Sequence, residues 1–105
     1  RQPTPMLMLS TMARAGATGF LKSLALEVAG DGVTVNSIQP GSHDTERLRN
    51  LYGGDVGRAA ADVPMGHVGD ADRFGQVAAF LCSEAASFIT GAALPVDGGR
   101  WQGLQ

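Results

Sequence analysis

A second cysteine is missing, and so is any long apolar run. Cys82 stands alone, so no disulfide can close within the chain, and a thiolate metal site has no ligand set; no metal-binding residue is assigned. Nothing approaches the roughly 20 consecutive apolar residues that a membrane-spanning helix needs. The opening Arg1-Gln2-Pro3-Thr4-Pro5 has no basic segment followed by an apolar stretch and a small-residue cleavage site, so it does not read as a secretory signal. It has no initiator Met either, and the expectation is a sequence that starts inside a longer protein. Surplus positive charge is also absent. Eight Lys and Arg face ten Asp and Glu, a net charge of −2, which offers little to nucleic acid or an anionic membrane surface. These absences lead to the expectation of a reduced, cytoplasmic protein with no nucleic-acid or membrane partner.

What is present suits one domain. The 105 residues, 44% of them apolar, allow a modest core. Fifteen glycines are scattered without a period, so they read as caps, turns and close-packing sites rather than as a fibrous or low-complexity repeat.

Thr4-Pro5 is a plausible helix start, with Thr capping and Pro at the first helical position. The helix runs to about Ala29, and Ala13, Ala17, Phe20, Leu24 and Val28 recur at helical spacing as its expected buried face. Ala13, Gly16 and Ala17 form a small-residue patch where another backbone could approach. Gly30, Asp31 and Gly32 end the helix. Residues 33–38 read as a β-branched strand stopped by Pro40-Gly41. Residues 42–63 form a polar excursion with short helices predicted over 46–52 and 56–61. Asp70 caps a further helix carrying Phe74, Val77, Ala78 and Leu81, and residues 92–96 read as a second strand before Asp97-Gly98-Gly99 turns the chain. A crossover of this size predicts parallel strands with a right-handed connection. Two parallel strands make a poor sheet by themselves, so more strands are expected on the N-terminal side.

The order and spacing of four segments resemble the short-chain dehydrogenase/reductase family. They are Leu21-Lys22-Ser23-Leu24-Ala25-Leu26-Glu27 with Val33-Thr34-Val35-Asn36-Ser37-Ile38-Gln39-Pro40-Gly41, then Val63-Pro64-Met65-Gly66-His67-Val68-Gly69-Asp70, then residues 80–91, then Val96-Asp97-Gly98-Gly99. The resemblance covers nearly all of residues 1–105. It implies an α/β fold: the C-terminal part of a Rossmann-like, doubly wound parallel sheet that binds NAD or NADP at its strand ends. The glycine-rich pyrophosphate turn of that fold is not in this sequence.

The family works through Tyr-x-x-x-Lys on the long helix, where residues four apart share a face. Counting back from Gly19 and Ser23 puts Ser10 at the Tyr position and Arg14 at the Lys position. Ser10 is a poorer acid than Tyr; Arg14 keeps the positive charge and can bond the nicotinamide ribose. The pair is either a substituted catalytic pair or a helix serine beside a solvated arginine. Tyr52, His43 and His67 are the other candidate proton donors. Pro40, Gly41 and Thr45 match the family segment that contacts the nicotinamide carboxamide and nearby phosphates, although His43 replaces a usually apolar residue there. The resemblance further implies a small carbonyl or alcohol substrate under the excursion, a homo-oligomer contact through the long helix, and a parent oxidoreductase similar to 3-oxoacyl carrier-protein reductases. The competing reading is a non-catalytic nucleotide-binding or scaffold protein with a lapsed site. By either reading, these residues in isolation are expected to be inactive.

Overall fold

The computed structural model describes residues 7–103. The expected Thr4-Pro5 helix start lies outside them. The first described helix, α1, spans Met8–Val28, and a 3-10 turn, Ala29–Asp31, finishes it. Gly32 then takes φ 74° and donates its N–H to the Ala29 carbonyl. This left-handed step favours glycine and reverses the chain.

The half-buried stripe of α1 matches the predicted face only in its last turns, at Leu24 and Val28. Thr11, Thr18, Leu21, Leu24 and Val28 are half-buried around Ala25, which is 1% exposed, whereas Ala13, Ala17 and Phe20 are exposed. Thr18 and Leu21 stand one position after the predicted Ala17 and Phe20, a local rotation of about 100°. The reason is visible in the composition: Phe20, Leu21, Leu24, Ala25 and Leu26 make the helix apolar on several sides, so periodicity does not single out one face. The Ala13–Gly16–Ala17 patch is open, with nothing within 4 Å of a Cβ built on Gly16.

Strand β1 is Ser37–Pro40 and pairs in parallel with β4, Ala93–Val96, in the register Ser37 with Ala93 and Pro40 with Val96. The parallel pairing is as expected, but β1 begins four residues later than the sequence pattern suggests. Residues 33–36 lie opposite a loop instead of a strand: the Val35 N–H donates to Thr90 Oγ1, and the Val35 carbonyl accepts from the Gly91 N–H. β-Branched residues favour extended backbone, yet a ladder also needs a partner. Ser37 and Gly41 direct their N–H groups to Ala92 and Val96. By alternation, Ile38 points its backbone groups to the opposite edge, where no described strand pairs with it. Pro95 sits in β4 at a position whose missing N–H would face away from β1, which suits an edge strand.

The excursion carries α2, Glu46–Leu51, and α3, Val56–Ala60, close to the predicted bounds. A two-residue parallel bridge joins β2, His43–Asp44, to β3, Gly69–Asp70, and no sequence signal announced it. Helix α4, Ala71–Leu81, starts as predicted: an Asp70 carboxylate oxygen accepts from the N–H groups of Asp72 and Arg73. Phe74, Val77, Ala78 and Leu81 share its half-buried face.

The core is thin. Among the described residues only Ala25, Ala59, Val63 and Ala86 are buried apolar side chains, while Met8, Phe20, Leu26 and Phe88 are largely exposed. The radius of gyration is 15.4 Å, against about 13 Å for a compact chain of this length. The principal extents are 47 × 30 × 24 Å, and apolar side chains are exposed on several sides.

Candidate functional site

The site is built from the ends of the two parallel strands. Beyond Pro40 the ladder continues for one step, the Gly41 N–H donating to the Val96 carbonyl at 2.9 Å. A Cβ at position 41 would lie 2.6 Å from Asp97 Cα, so this close approach of two backbones requires glycine. Asp97 is itself held: its carboxylate oxygens accept from the Gly99 and Trp101 N–H groups. The turn is anchored to both ends of the excursion. The Met65 N–H donates to the Gly98 carbonyl at 3.1 Å, and Arg100 donates to Ser42 Oγ at 3.0 Å and lies 3.6 Å from Asp62.

Two long-range contacts set α1 against these strands. Lys22 Nζ donates to the Gly91 carbonyl at 3.0 Å, and the Gly91 N–H donates to the Val35 carbonyl at 2.7 Å. The chain passes this level on the way out along α1 and again on the way back toward β1, so helix and strand are antiparallel. Arg14 stands eight residues before Lys22, or about 12 Å along the axis. Gly41 stands six residues beyond Val35, about 20 Å along the strand. Arg14 therefore lies on the strand-end side of Lys22, and Ser10, about 18 Å before Lys22, comes nearer the level of Pro40 and Gly41. Its side chain is folded back, with Nε donating to the Ser10 backbone carbonyl at 3.2 Å. The helix brings Ser10 and Arg14 together as the four-residue spacing requires, but the bond engages the Ser10 main chain and not its exposed hydroxyl.

Thr45 caps α2. Its Oγ1 accepts from the Leu48 N–H at 3.3 Å, which leaves the hydroxyl proton available for donation. The other candidate proton donors are dispersed. Tyr52 is half-buried at the end of α2, and His67 is exposed with Nδ1 2.9 Å from the Val68 carbonyl. His43 is half-buried in β2 with its ring edge-on to Phe74. Asp44 and Arg49 form a two-bond ion pair at 2.7 and 2.8 Å; these hydrogen bonds hold the Asp44 carboxyl below its ordinary pKa and raise that of Arg49. The pair borders an open groove of about 490 Å³ that also contains Asp70 and Asp72. Three carboxylates against one guanidinium make that groove unsuited to a phosphate. Among the described residues, no three His, Cys, Asp or Glu side chains converge on a possible metal position. No helix there is long and apolar enough to cross a membrane.

Sequence reasoning missed Asn36. Its Nδ2 donates to the Ile89 carbonyl at 2.8 Å and its Oδ1 accepts from the Ala92 N–H at 3.1 Å, so one side chain grips the chain that enters β4. The available signal was an amide within a β-branched run, where a polar residue needs a reason.

Comparison with known proteins agrees with this architecture. The family profile described as enoyl-(acyl carrier protein) reductase matches residues 2–100. A 3-oxoacyl-(acyl-carrier-protein) reductase of Salmonella typhimurium is 45% identical over 89 residues, which are 85% of this chain and 36% of that protein. The chain thus spans about a third of the length of the curated relatives it matches. Among solved structures, an NADPH-dependent reductase involved in bacilysin biosynthesis superposes with a TM-score of 0.90 at 29% identity, covering 98% of this chain and 43% of its own. An NADPH-bound short-chain oxidoreductase of Pseudomonas aeruginosa, described as containing an atypical catalytic center, gives 0.87 at 28% identity, covering 98% of this chain and 42% of its own. With parallel strands, the antiparallel long helix and these matches in agreement, the chain belongs to the short-chain dehydrogenase/reductase family.

Proposed function

We propose that residues 1–105 form the C-terminal part of an NAD(P)-dependent oxidoreductase domain, with residues 42–63 as the excursion over its substrate. The reaction moves a hydride between the nicotinamide and a carbonyl or secondary alcohol, and a 3-oxoacyl thioester is the first substrate class to try. The observation that carries this reading is the antiparallel run of α1, which turns Arg14 and Ser10 toward the Pro40–Gly41 strand end, since ligands of open α/β sheets bind at the carboxyl ends of the strands. The residues present fit a dinucleotide. Gly41 holds the chain close against Asp97 where it leaves β1, Thr45 keeps a free hydroxyl proton, and Arg14 supplies a permanent cation able to leave its own helix carbonyl for a ribose hydroxyl. Pro40 fixes the direction in which the chain leaves β1. When bound, the cofactor supplies or accepts the hydride; Ser10 stands where a proton would be delivered, with Arg14 beside it. The relatives' NADPH use and 3-oxoacyl reduction support the choice of cofactor class and substrate. The reading places the protein in the cytoplasm, with a homo-oligomer contact through α1.

A second reading, a nucleotide-binding scaffold without turnover, is favoured by one observation: the Ser10 hydroxyl receives no hydrogen bond from Arg14 that would acidify it. Fluorescence titration with NADPH and NADH, followed by a 3-oxoacyl thioester reduction assay on the full-length protein, separates the readings. Binding with turnover supports the enzyme, binding without turnover the scaffold, and no binding overturns both.

A further inference from the structure

His43 does more than occupy an apolar position. Its backbone belongs to the bridge with Gly69, and the Gly69 N–H donates to the Ser42 carbonyl at 2.9 Å. The adjoining Asp44 pairs with Asp70, the cap of α4. The first turn of the excursion is thereby fastened to the start of a helix that lies 27 residues further along the chain.

The side chain completes the fastening in three directions. The imidazole meets the Phe74 ring edge-on, with centroids 4.9 Å apart and planes at 73°, a favourable aromatic geometry. It also fills the space in front of Gly69: a Cβ there would lie 2.6 Å from His43 Cδ2 and 2.7 Å from Nε2. Gly69 does not have a positive φ, so its small size serves the imidazole and not a strained turn. Finally, Nδ1 lies 3.2 Å from the Gly41 carbonyl oxygen. A carbonyl only accepts, so Nδ1 carries the proton and donates. Gly41 is the residue pressed onto Asp97 at the strand ends.

We propose that His43 is a positioning residue: wedged between Gly69 and Phe74, it holds the Gly41 carbonyl and so sets the height of residues 41–45 against the nicotinamide end of the cofactor. The inference rests on the cofactor reading above. The two halves of the role are chemically separable. Packing needs only a flat ring, whereas holding Gly41 needs an N–H. An aliphatic side chain at position 43 supplies neither the edge-on ring nor the donor.

Nucleotide titration and steady-state kinetics of the full-length protein test this. His43→Phe keeps a ring against Phe74 and loses the donor. It is expected to retain its melting temperature to within a few degrees, weaken NADPH or NADH binding about tenfold, the ~1.4 kcal/mol of one good hydrogen bond, and raise the cofactor KM far more than the substrate KM. His43→Asn restores a donor near Nδ1 without the ring, and is expected to melt earlier yet bind more tightly than His43→Phe. Gly69→Ala displaces the imidazole and should weaken nucleotide binding without touching the cofactor; adding His43→Ala to it should cost no further affinity, because the two residues share one interaction. Unchanged affinity in His43→Phe, or additive losses in the double variant, would overturn the role of His43 alone. Failure of the unsubstituted protein to bind either nucleotide would remove the cofactor reading and this inference with it.

Discussion

Lys22 holds Gly91 across 69 residues of sequence: its ammonium donates to the Gly91 carbonyl at 3.0 Å, and Gly91 takes φ 67° beneath it. A Cβ at position 91 would come within 2.9 Å of the Lys22 nitrogen. This contact fixes how far α1 slides along the strands, and hence the level of Arg14. Lys22→Met is expected to destabilise the full-length protein by about 1 kcal/mol, the net value of one hydrogen bond. Gly91→Ala should cost about as much or more, because alanine resists a positive φ. Urea-unfolding midpoints check both, and an unaltered midpoint in Gly91→Ala would show that the turn is less constrained than its backbone indicates.

Asn36 should matter more than any single apolar residue near it. Asn36→Ala leaves the Ile89 carbonyl and the Ala92 N–H part-buried and unpaired, at about 1–3 kcal/mol of stability for such orphaned groups. Asn36→Asp, which can still accept from Ala92 but not donate to Ile89, should lie between. Hydrogen exchange at the Ala92 amide reads the clamp directly, and protection equal to that of the unsubstituted protein in Asn36→Ala would contradict it.

Gly41→Ala places a methyl group 2.6 Å from the Asp97 backbone, which has no flexible end to move aside. Residues 41–45 must shift, and nucleotide binding is expected to fall at least tenfold. Arg14→Lys should keep part of the affinity through its charge, and Arg14→Met should lose about tenfold, the scale of a hydrogen bond to a charged group. Calorimetric titration with NADPH measures all three. Equal affinity in Arg14→Met would move the ribose contact elsewhere.

Ser10→Tyr tests the proton route. If turnover by the unsubstituted protein is slow or absent while nucleotide still binds, a phenol at position 10 beside Arg14 should raise the rate of carbonyl reduction, because it is a much better acid than an alcohol. Robust turnover with Ser10 that survives Ser10→Ala would assign the proton to another group, with Tyr52 the next to substitute.

The Asp44–Arg49 pair gives a pH signature with a definite sign. Its hydrogen bonds lower the carboxyl pKa on folding, so its contribution to stability is fully present above the unfolded Asp value of about 4 and is lost as pH falls through the lower folded value. Asp44→Asn should therefore show a shallower loss of stability on acidification below about pH 4, with little difference in slope near neutrality. Melting temperatures across that acid range check it. A parallel decline in both proteins would show that the pair is solvated away.

Residues 1–105 expressed alone should associate and should not bind NADPH. Among the described residues Phe88 is fully exposed, four small or medium side chains make the buried core, and no strand pairs with the Ile38 edge. A monodisperse monomer in sedimentation, or saturable nucleotide binding, would refute this.

The order helix, strand, excursion, helix, strand was legible in the residues themselves. Gly30 to Gly32 stop a helix, Asp70 starts one, Pro40-Gly41 ends a strand, and two short helices punctuate residues 42–63; each signal acts within a few residues, where local sterics and capping dominate. Family membership was legible for the same reason, since it rests on local segments in order. Three features needed the tertiary structure. Which stripe of α1 turns inward was undecidable on a helix apolar on several sides, and packing selected Ala25 over Ala17 and Phe20. Where β1 begins depended on a partner strand more than 50 residues away. And His43, which reads from sequence as a histidine in a loop, gained its surroundings from Gly69 and Phe74, which only the fold brings to it. Local chemistry fixes where elements start and stop, whereas side-chain roles depend on neighbours distant in sequence, and those are chosen by packing.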